Sequence, residues 1–138
     1  MRRRGSARDR ATDRVGAFAF GLSAETLAAW LLRLKGYRVL ARRSKHPVGE
    51  IDLVVRRGNL IAFVEVKARR AAGEAIHAIT PNQRRRIERA AEAFVARNPS
   101  LSQCDWRFDV VLVDGAGWLP CHMQDAWRPG ESDGQSEK

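Results

Sequence analysis

The chain has 138 residues, enough for one domain with a single core and too few for two. Hydrophobic residues make up 44% and charged residues 30%, a balance that folds rather than stays disordered, and no run approaches the roughly 18–20 apolar residues that span a bilayer. The formal net charge is +9, carried by the folded part as well as by an Arg-rich start, so a phosphate polyanion is the natural partner and a merely solvated basic surface the plain alternative.

Residues 1–14 are polar, rich in Arg and without periodicity, and are expected to be a flexible basic arm. The apolar stretch that follows (residues 15–24) superficially suits a signal peptide. Asp9 and Asp13 interrupt the basic region, however, and the stretch runs into an amphipathic helix, so a cytoplasmic protein is expected. Ser23 to Lys35 reads as that helix, with Ser23 as N-cap, an apolar stripe of Leu27, Trp30, Leu31 and Leu34, and Gly36 at the C-cap. Tyr37 to Arg43 reads as a short strand and Ser44 to Gly49 as a turn.

Glu50 to Lys67 holds two apolar-rich runs around Arg57-Gly58-Asn59-Leu60 and reads as a β-hairpin. A two-residue turn at Gly58-Asn59 makes Arg57 face Leu60 and fixes every other pair. Ile51 then meets Val66, Leu53 meets Val64 and Val55 meets Ala62, all six on one face. On the other face Asp52 meets Glu65, and Glu50 meets Lys67.

Residues 68–79 read as a loop. Thr80-Pro81-Asn82-Gln83 opens a second helix, with Thr80 as N-cap, Pro81 in the first helical position and a stripe of Ile87, Ala90, Ala91, Phe94 and Val95. Asn98-Pro99 ends it. Trp106 to Val113 is a strand, residues 114–117 a turn, Trp118 to Met123 a further strand pairing back, and 129–138 a disordered polar tail. The folded domain is thus expected over 15–128. Cys104 and Cys121 lack any C-x-x-C spacing, form no zinc pattern with His46, His77 and His122, and read as inert thiols.

Two acids opposite each other on a hairpin repel, which destabilises the sheet unless a divalent cation sits between them. Lys67 lies two residues from Glu65 and therefore points to the same side. An acid pair that can hold a metal, with one positive charge beside it, supplies what phosphodiester hydrolysis needs. The chain uses Lys at only four of its 25 basic positions, so Lys67 at this one is a second hint: a compact point charge that Arg replaces poorly. The competing reading is a charged sheet edge in which Lys67 pairs with Glu50 or Glu65.

Asp52, then Glu65-Val66-Lys67, resembles the D…E-x-K core of the PD-(D/E)xK nuclease superfamily. More closely, the chain is similar to the YraN-like family of predicted bacterial endonucleases, related to Holliday-junction resolvases. The likeness runs from about Gly16 to Trp127. It rests on Ala24-Glu25, Leu34-Lys35-Gly36-Tyr37, Gly49-Glu50-Ile51-Asp52-Leu53, Phe63-Val64-Glu65-Val66-Lys67 and Arg107-Phe108-Asp109-Val110-Val111. Ile51 stands where the superfamily's name has proline. The resemblance implies an α/β fold, a restriction-endonuclease-like αβββαβ core whose central mixed sheet is flanked by helices. It also implies a site for Mg²⁺ or Mn²⁺: Asp52 and Glu65 as ligands, the Val66 carbonyl as a third oxygen, Lys67 as the catalytic lysine, and Glu25 as the acid that completes the site.

Other residues have two readings each. Glu25 near a helix start is also favoured by the helix dipole alone. Glu50 is an auxiliary ligand or a salt-bridge partner of Lys67 or Arg43. Gln83 completes a capping box with Thr80 or reaches the site, and capping is the stronger reading. Arg84, Arg85 and Arg86, and equally Arg42, Arg43, Lys45, Arg69 and Arg70, are phosphate contacts or solvated cations. Trp30, Trp106, Trp118 and Trp127 read as packing rather than base-stacking platforms. The expectation is a metal-dependent endonuclease acting on DNA, including branched or damaged DNA, as a monomer or a homodimer. The alternatives are a catalytically silent DNA-binding accessory protein and, more weakly, a nuclease acting on RNA.

Overall fold

The computed structural model describes residues 23–69, 79–114 and 120–130. The expectations for residues 1–22 and 131–138, for most of the loop after the hairpin, for Trp118 and for the side chains of Arg69 and Arg70 lie outside that set. The elements in order are α1 (Ala24–Leu34), β1 (Arg38–His46), β2 (Gly49–Arg57), β3 (Leu60–Arg69), α2 (Pro81–Arg97), a 3₁₀ turn (Pro99–Leu101), β4 (Asp105–Asp114) and β5 (Cys121–Trp127). The strands form one sheet in the order β1-β2-β3-β4-β5. Pairing is antiparallel except between β3 and β4, which are parallel across the α2 connection. This is the αβββαβ arrangement with one further edge strand. No helix among the described residues is long and apolar enough to cross a membrane.

Both helix starts follow their local chemistry. Ser23 Oγ accepts the Thr26 N–H at 3.1 Å. Thr80 and Gln83 form the reciprocal capping box, Gln83 N–H to Thr80 Oγ1 at 3.1 Å and Thr80 N–H to Gln83 Oε1 at 3.0 Å. The stripe expected on α2 is buried in full.

On α1 the stripe is a different one. Ala28, Ala29 and Leu32 are buried, whereas Trp30 is 52% and Leu34 81% exposed. Small alanines let the helix lie close on the sheet, and the inward i, i+3, i+4, i+7 row that they define begins at Glu25. Trp30 and Leu34 stay outside while Leu27 packs at the edge of the cluster, and Arg33 covers the Trp30 ring at 5.4 Å.

The hairpin register holds from Arg57↔Leu60 to Leu53↔Val64. Gly58, with φ of 62°, supplies the left-handed backbone that the turn requires. The sheet is covered on both sides, as flanking helices imply: Leu53, Val55, Ala62 and Val64 pack under α1, and Val54, Ile61 and Phe63 under α2. One feature differs from the hairpin reading. Ile51 belongs to the α2 cluster, not with Leu53. The break in alternation lies opposite Arg43, whose φ of 51° falls between the pairs Arg42↔Leu53 and Ser44↔Ile51. β1 also runs on to His46, shortening the expected turn, and β5 lies at 121–127, a few residues later than read.

Gly49 sits where α2 crosses the β1–β2 corner. A Cβ there would lie 3.0 Å from the Arg86 carbonyl oxygen, so the close approach of helix to strand favours glycine.

Candidate active site

Asp52, near the start of β2, and Glu65, near the end of β3, come together where the hairpin ladder stops. Beyond Leu53↔Val64 the strands no longer pair. Asp52 Oδ2 instead accepts the Val66 N–H at 2.8 Å. The two acids are therefore not ladder partners, but both line the same cleft, where each charge acts on the other. Lys67 Nζ lies 3.7 Å from Glu65 Oε2, so it pairs with Glu65 and not with Glu50. Gly49, Glu50, Asp52, Glu65, Gln83, Arg86 and Ile87 line an open cleft of 230 Å³ over the pair.

Two half-buried carboxylates this close cannot both ionise freely. Burial, reinforced by the Asp52 charge, pushes the Glu65 carboxyl up to about 7 against the pull of Lys67. Burial also raises Asp52, although the Val66 N–H favours its charged form. The proton is therefore favoured on Glu65 and the charge on Asp52. A divalent cation suits that arrangement, because hard-oxygen ligands with a displaceable proton bind it while their repulsion is relieved.

The remaining residues separate into groups. Glu25 does not join the pair: Arg43 Nε donates to its Oε1 at 2.8 Å and Arg42 Nε to its Oε2 at 3.3 Å. Among the described residues no group of three or more His, Cys, Asp or Glu side chains is arranged to hold a metal ion. Glu50 is an exposed wall of the cleft. Gln83 does two things at once, capping α2 and lining the cleft. Of the three successive arginines only Arg86 lines the cleft; Arg85 donates to Asn82 Oδ1 at 2.6 Å and Arg84 lies over the Trp127 ring.

A second acid escaped the sequence reading as a constellation. Asp109 on β4 is 0% exposed. It accepts two hydrogen bonds from Arg107 (2.8 and 2.7 Å), one from His122 Nε2 (2.8 Å) and one from the Asp125 N–H (2.9 Å). Arg107 also donates to the Tyr37 hydroxyl, and Lys35 Nζ donates to His122 Nδ1 at 2.6 Å. Burial alone would raise the Asp109 carboxyl, but the bonds from His122, Arg107 and Asp125 outweigh it and hold it below the usual range. This network ties β4, β5 and the end of α1 together. The signal was in the sequence: an acid inside the apolar run Phe108–Val113 must have partners.

A mixed five-stranded sheet flanked by two helices, with an acid pair at the splayed end of the central hairpin, defines an α/β domain with a restriction-endonuclease-like core. The chain belongs to the uncharacterised protein family UPF0102, whose model matches residues 24–113. A UPF0102 protein of Parvibaculum lavamentivorans is 57% identical over 115 residues, covering 83% of this chain and 86% of the relative. One from Paramagnetospirillum magneticum is 58% identical over 113 residues, covering 78% and 86%. One from Rhodopseudomonas palustris is 54% identical over 117 residues, covering 85% and 91%.

Proposed function

We propose that this protein is a metal-dependent endonuclease that hydrolyses phosphodiester bonds in DNA. The observation that carries the reading is the acid pair Asp52–Glu65 with Lys67 beside it, at the mouth of an open cleft in a chain of net charge +9. A pure binding surface gains nothing from acids facing phosphate, and burying two of them together costs stability unless a cation is held there.

Asp52 and Glu65 would hold Mg²⁺ or Mn²⁺, which when bound polarises a phosphoryl oxygen and acidifies water. Lys67 places one positive charge beside Glu65, where it offsets negative charge developing on the phosphoryl group. Arg86, on the α2 wall of the cleft, meets the phosphate backbone at the same opening. The Asp52 bond to the Val66 N–H fixes the first carboxylate, so little reorganisation is needed during reaction.

A catalytically silent DNA-binding accessory protein is the second reading, favoured by Glu25 being engaged by two arginines rather than by the acid pair. Cleavage of a fluorescent DNA panel (duplex, single strand, flap and four-way junction) with Mg²⁺ or Mn²⁺ separates the two. Metal-dependent cutting by the wild type that is lost in Lys67→Ala supports the nuclease. Salt-sensitive binding without cutting by either protein supports the accessory role.

A further inference from the structure

The family likeness casts Glu25 as the acid that completes the metal site. Its hydrogen bonds go to two arginines instead, although its charge still acts on Asp52. Glu25 heads the inward row of α1, and its side chain is only 11% exposed. Each of its oxygens is taken by a different guanidinium, and both contacts use the Nε edge. Arg42 is further tied by Nη2 to Thr26 Oγ1 at 2.9 Å, on the first turn of the same helix.

A regular strand sends consecutive side chains to opposite faces. Arg42 and Arg43 reach one carboxylate because Arg43 adopts φ of 51°, a conformation that a non-glycine residue takes at a cost and that clusters at functional sites. The ion pairs themselves offset little of that cost, since guanidiniums that stay largely in solvent add little to stability. Their effect is orientation. With the Nε edges turned inward, the arginines remain 42% and 67% exposed. Arg43 Nη1 and Nη2 make no hydrogen bond among the described residues, and two parallel N–H groups of that kind fit a phosphate oxygen pair. The strand carrying them pairs directly with the strand carrying Asp52.

We infer that Glu25 is a positioning residue, and not a metal ligand, which orients Arg42 and Arg43 to grip a backbone phosphate of bound nucleic acid beside the acid pair. The inference deepens the nuclease reading and rests on it for the identity of the ligand. It also sets a sign that simple charge cannot give. Removing an acid near phosphate should tighten DNA binding by Coulomb's law, whereas removing the residue that orients two arginines loosens it.

The test measures two affinities and no turnover. Binding of a short fluorescent duplex is followed by anisotropy in EDTA and in Ca²⁺ across a salt series, and Mn²⁺ binding by calorimetry. Wild type is compared with Glu25→Ala, Glu25→Gln, Arg43→Ala and Arg43→Lys. Glu25→Ala should weaken duplex binding about tenfold, equivalent to one charge-assisted hydrogen bond. Its salt slope should become shallower by about 0.9 for each phosphate that is no longer neutralised. Mn²⁺ affinity should match wild type. Arg43→Lys keeps the charge but not the fork and should lose affinity too, and Glu25→Gln gives the same reading if the alanine variant does not fold. Loss of Mn²⁺ binding in the Glu25 variants, with duplex binding kept or tightened, would make Glu25 a metal ligand and overturn the inference. Equal duplex binding by wild type and the Glu25 variants would also overturn it and leave the nuclease reading standing. A wild type that binds no duplex in either condition would remove that reading and this one with it.

Discussion

Asp52 and Val66 are joined by a hydrogen bond of 2.8 Å that replaces a rung of the sheet: a carboxylate, not a strand, takes the β3 N–H. The ladder ends there, so Asp52 and Glu65 line one cleft without being register partners. The acid pair is thus a consequence of how the hairpin terminates, and its repulsion is built into the fold.

That repulsion makes stability depend on pH. Glu65 titrates near 4.5 when unfolded and near 7 in the fold, so between those values the folded state holds a proton that the unfolded chain has lost. The proton's contribution is complete below the lower value and is lost as pH rises through the upper one. The loss is on the order of 3 kcal/mol. Glu65→Gln should therefore melt higher than wild type above pH 7 and close to it below pH 4.5, in scans at matched ionic strength. A wild-type melting temperature that rises across the window would contradict the assignment.

Metal should relieve the same strain. Above pH 7, Mn²⁺ should raise the melting temperature of the wild type by mass action and leave Asp52→Asn unmoved. Calorimetry should show proton release on binding near neutrality, because Glu65 must give up its proton to become a ligand. An equal shift in both proteins would place the metal elsewhere.

Lys67 is tested by its closest substitute. Lys67→Arg keeps the charge but presents a broad planar fork in place of a compact ammonium. In the cleavage assay it should lose at least about 100-fold in rate, as Lys67→Ala does, since the lost interaction acts at the reacting group. Near-wild-type cutting by Lys67→Arg would reduce Lys67 to a general counter-charge.

Much of the site was legible because hairpin chemistry is local. A two-residue turn with glycine and two alternating runs fixed the register that joins Leu53 to Val64, and Thr80 with Gln83 announced the start of α2. What stayed hidden depended on contacts distant in sequence or on backbone geometry that residue type does not reveal. Arg43 takes a left-handed conformation without being glycine, so neither the face switch at Ile51 nor the arginine pair on Glu25 follows from alternation. The α1 stripe was misread because large apolar residues outweigh alanines on any hydropathy pattern, whereas close packing on the sheet favours the alanines. Asp109 gains Arg107, His122 and the Asp125 N–H, and through them Tyr37 and Lys35, only after three elements are assembled.

The close crossing of α2 offers a test of how the cleft is held open. The Arg86 backbone passes so near Gly49 that an added methyl group must push helix or strand aside. Gly49→Ala should cost about 1–3 kcal/mol in denaturant unfolding, the usual range for overpacking. The same displacement moves Gln83 and Arg86 relative to Glu50 and Asp52, which line the cleft together.

Asp109→Ala separates the structural acid from the candidate catalytic ones. It leaves the Arg107 guanidinium and His122 without their shared carboxylate and the Asp125 N–H without its acceptor. Removing one partner from a buried ion network costs about 3–5 kcal/mol. Because the Asp109 carboxyl lies below its ordinary value, its contribution is present above that value and is lost as acid protonates it in the fold. The variant should therefore lose stability at neutral pH by urea titration and fall less steeply than wild type in acid. Mn²⁺ affinity measured where it is still folded should equal that of the wild type, since Asp109 makes its bonds to Arg107, His122 and Asp125 and none to Asp52 or Glu65. Asp52→Ala should behave in the opposite way, losing the metal at little cost above pH 7, where removing one of two repelling charges offsets the lost bond to Val66.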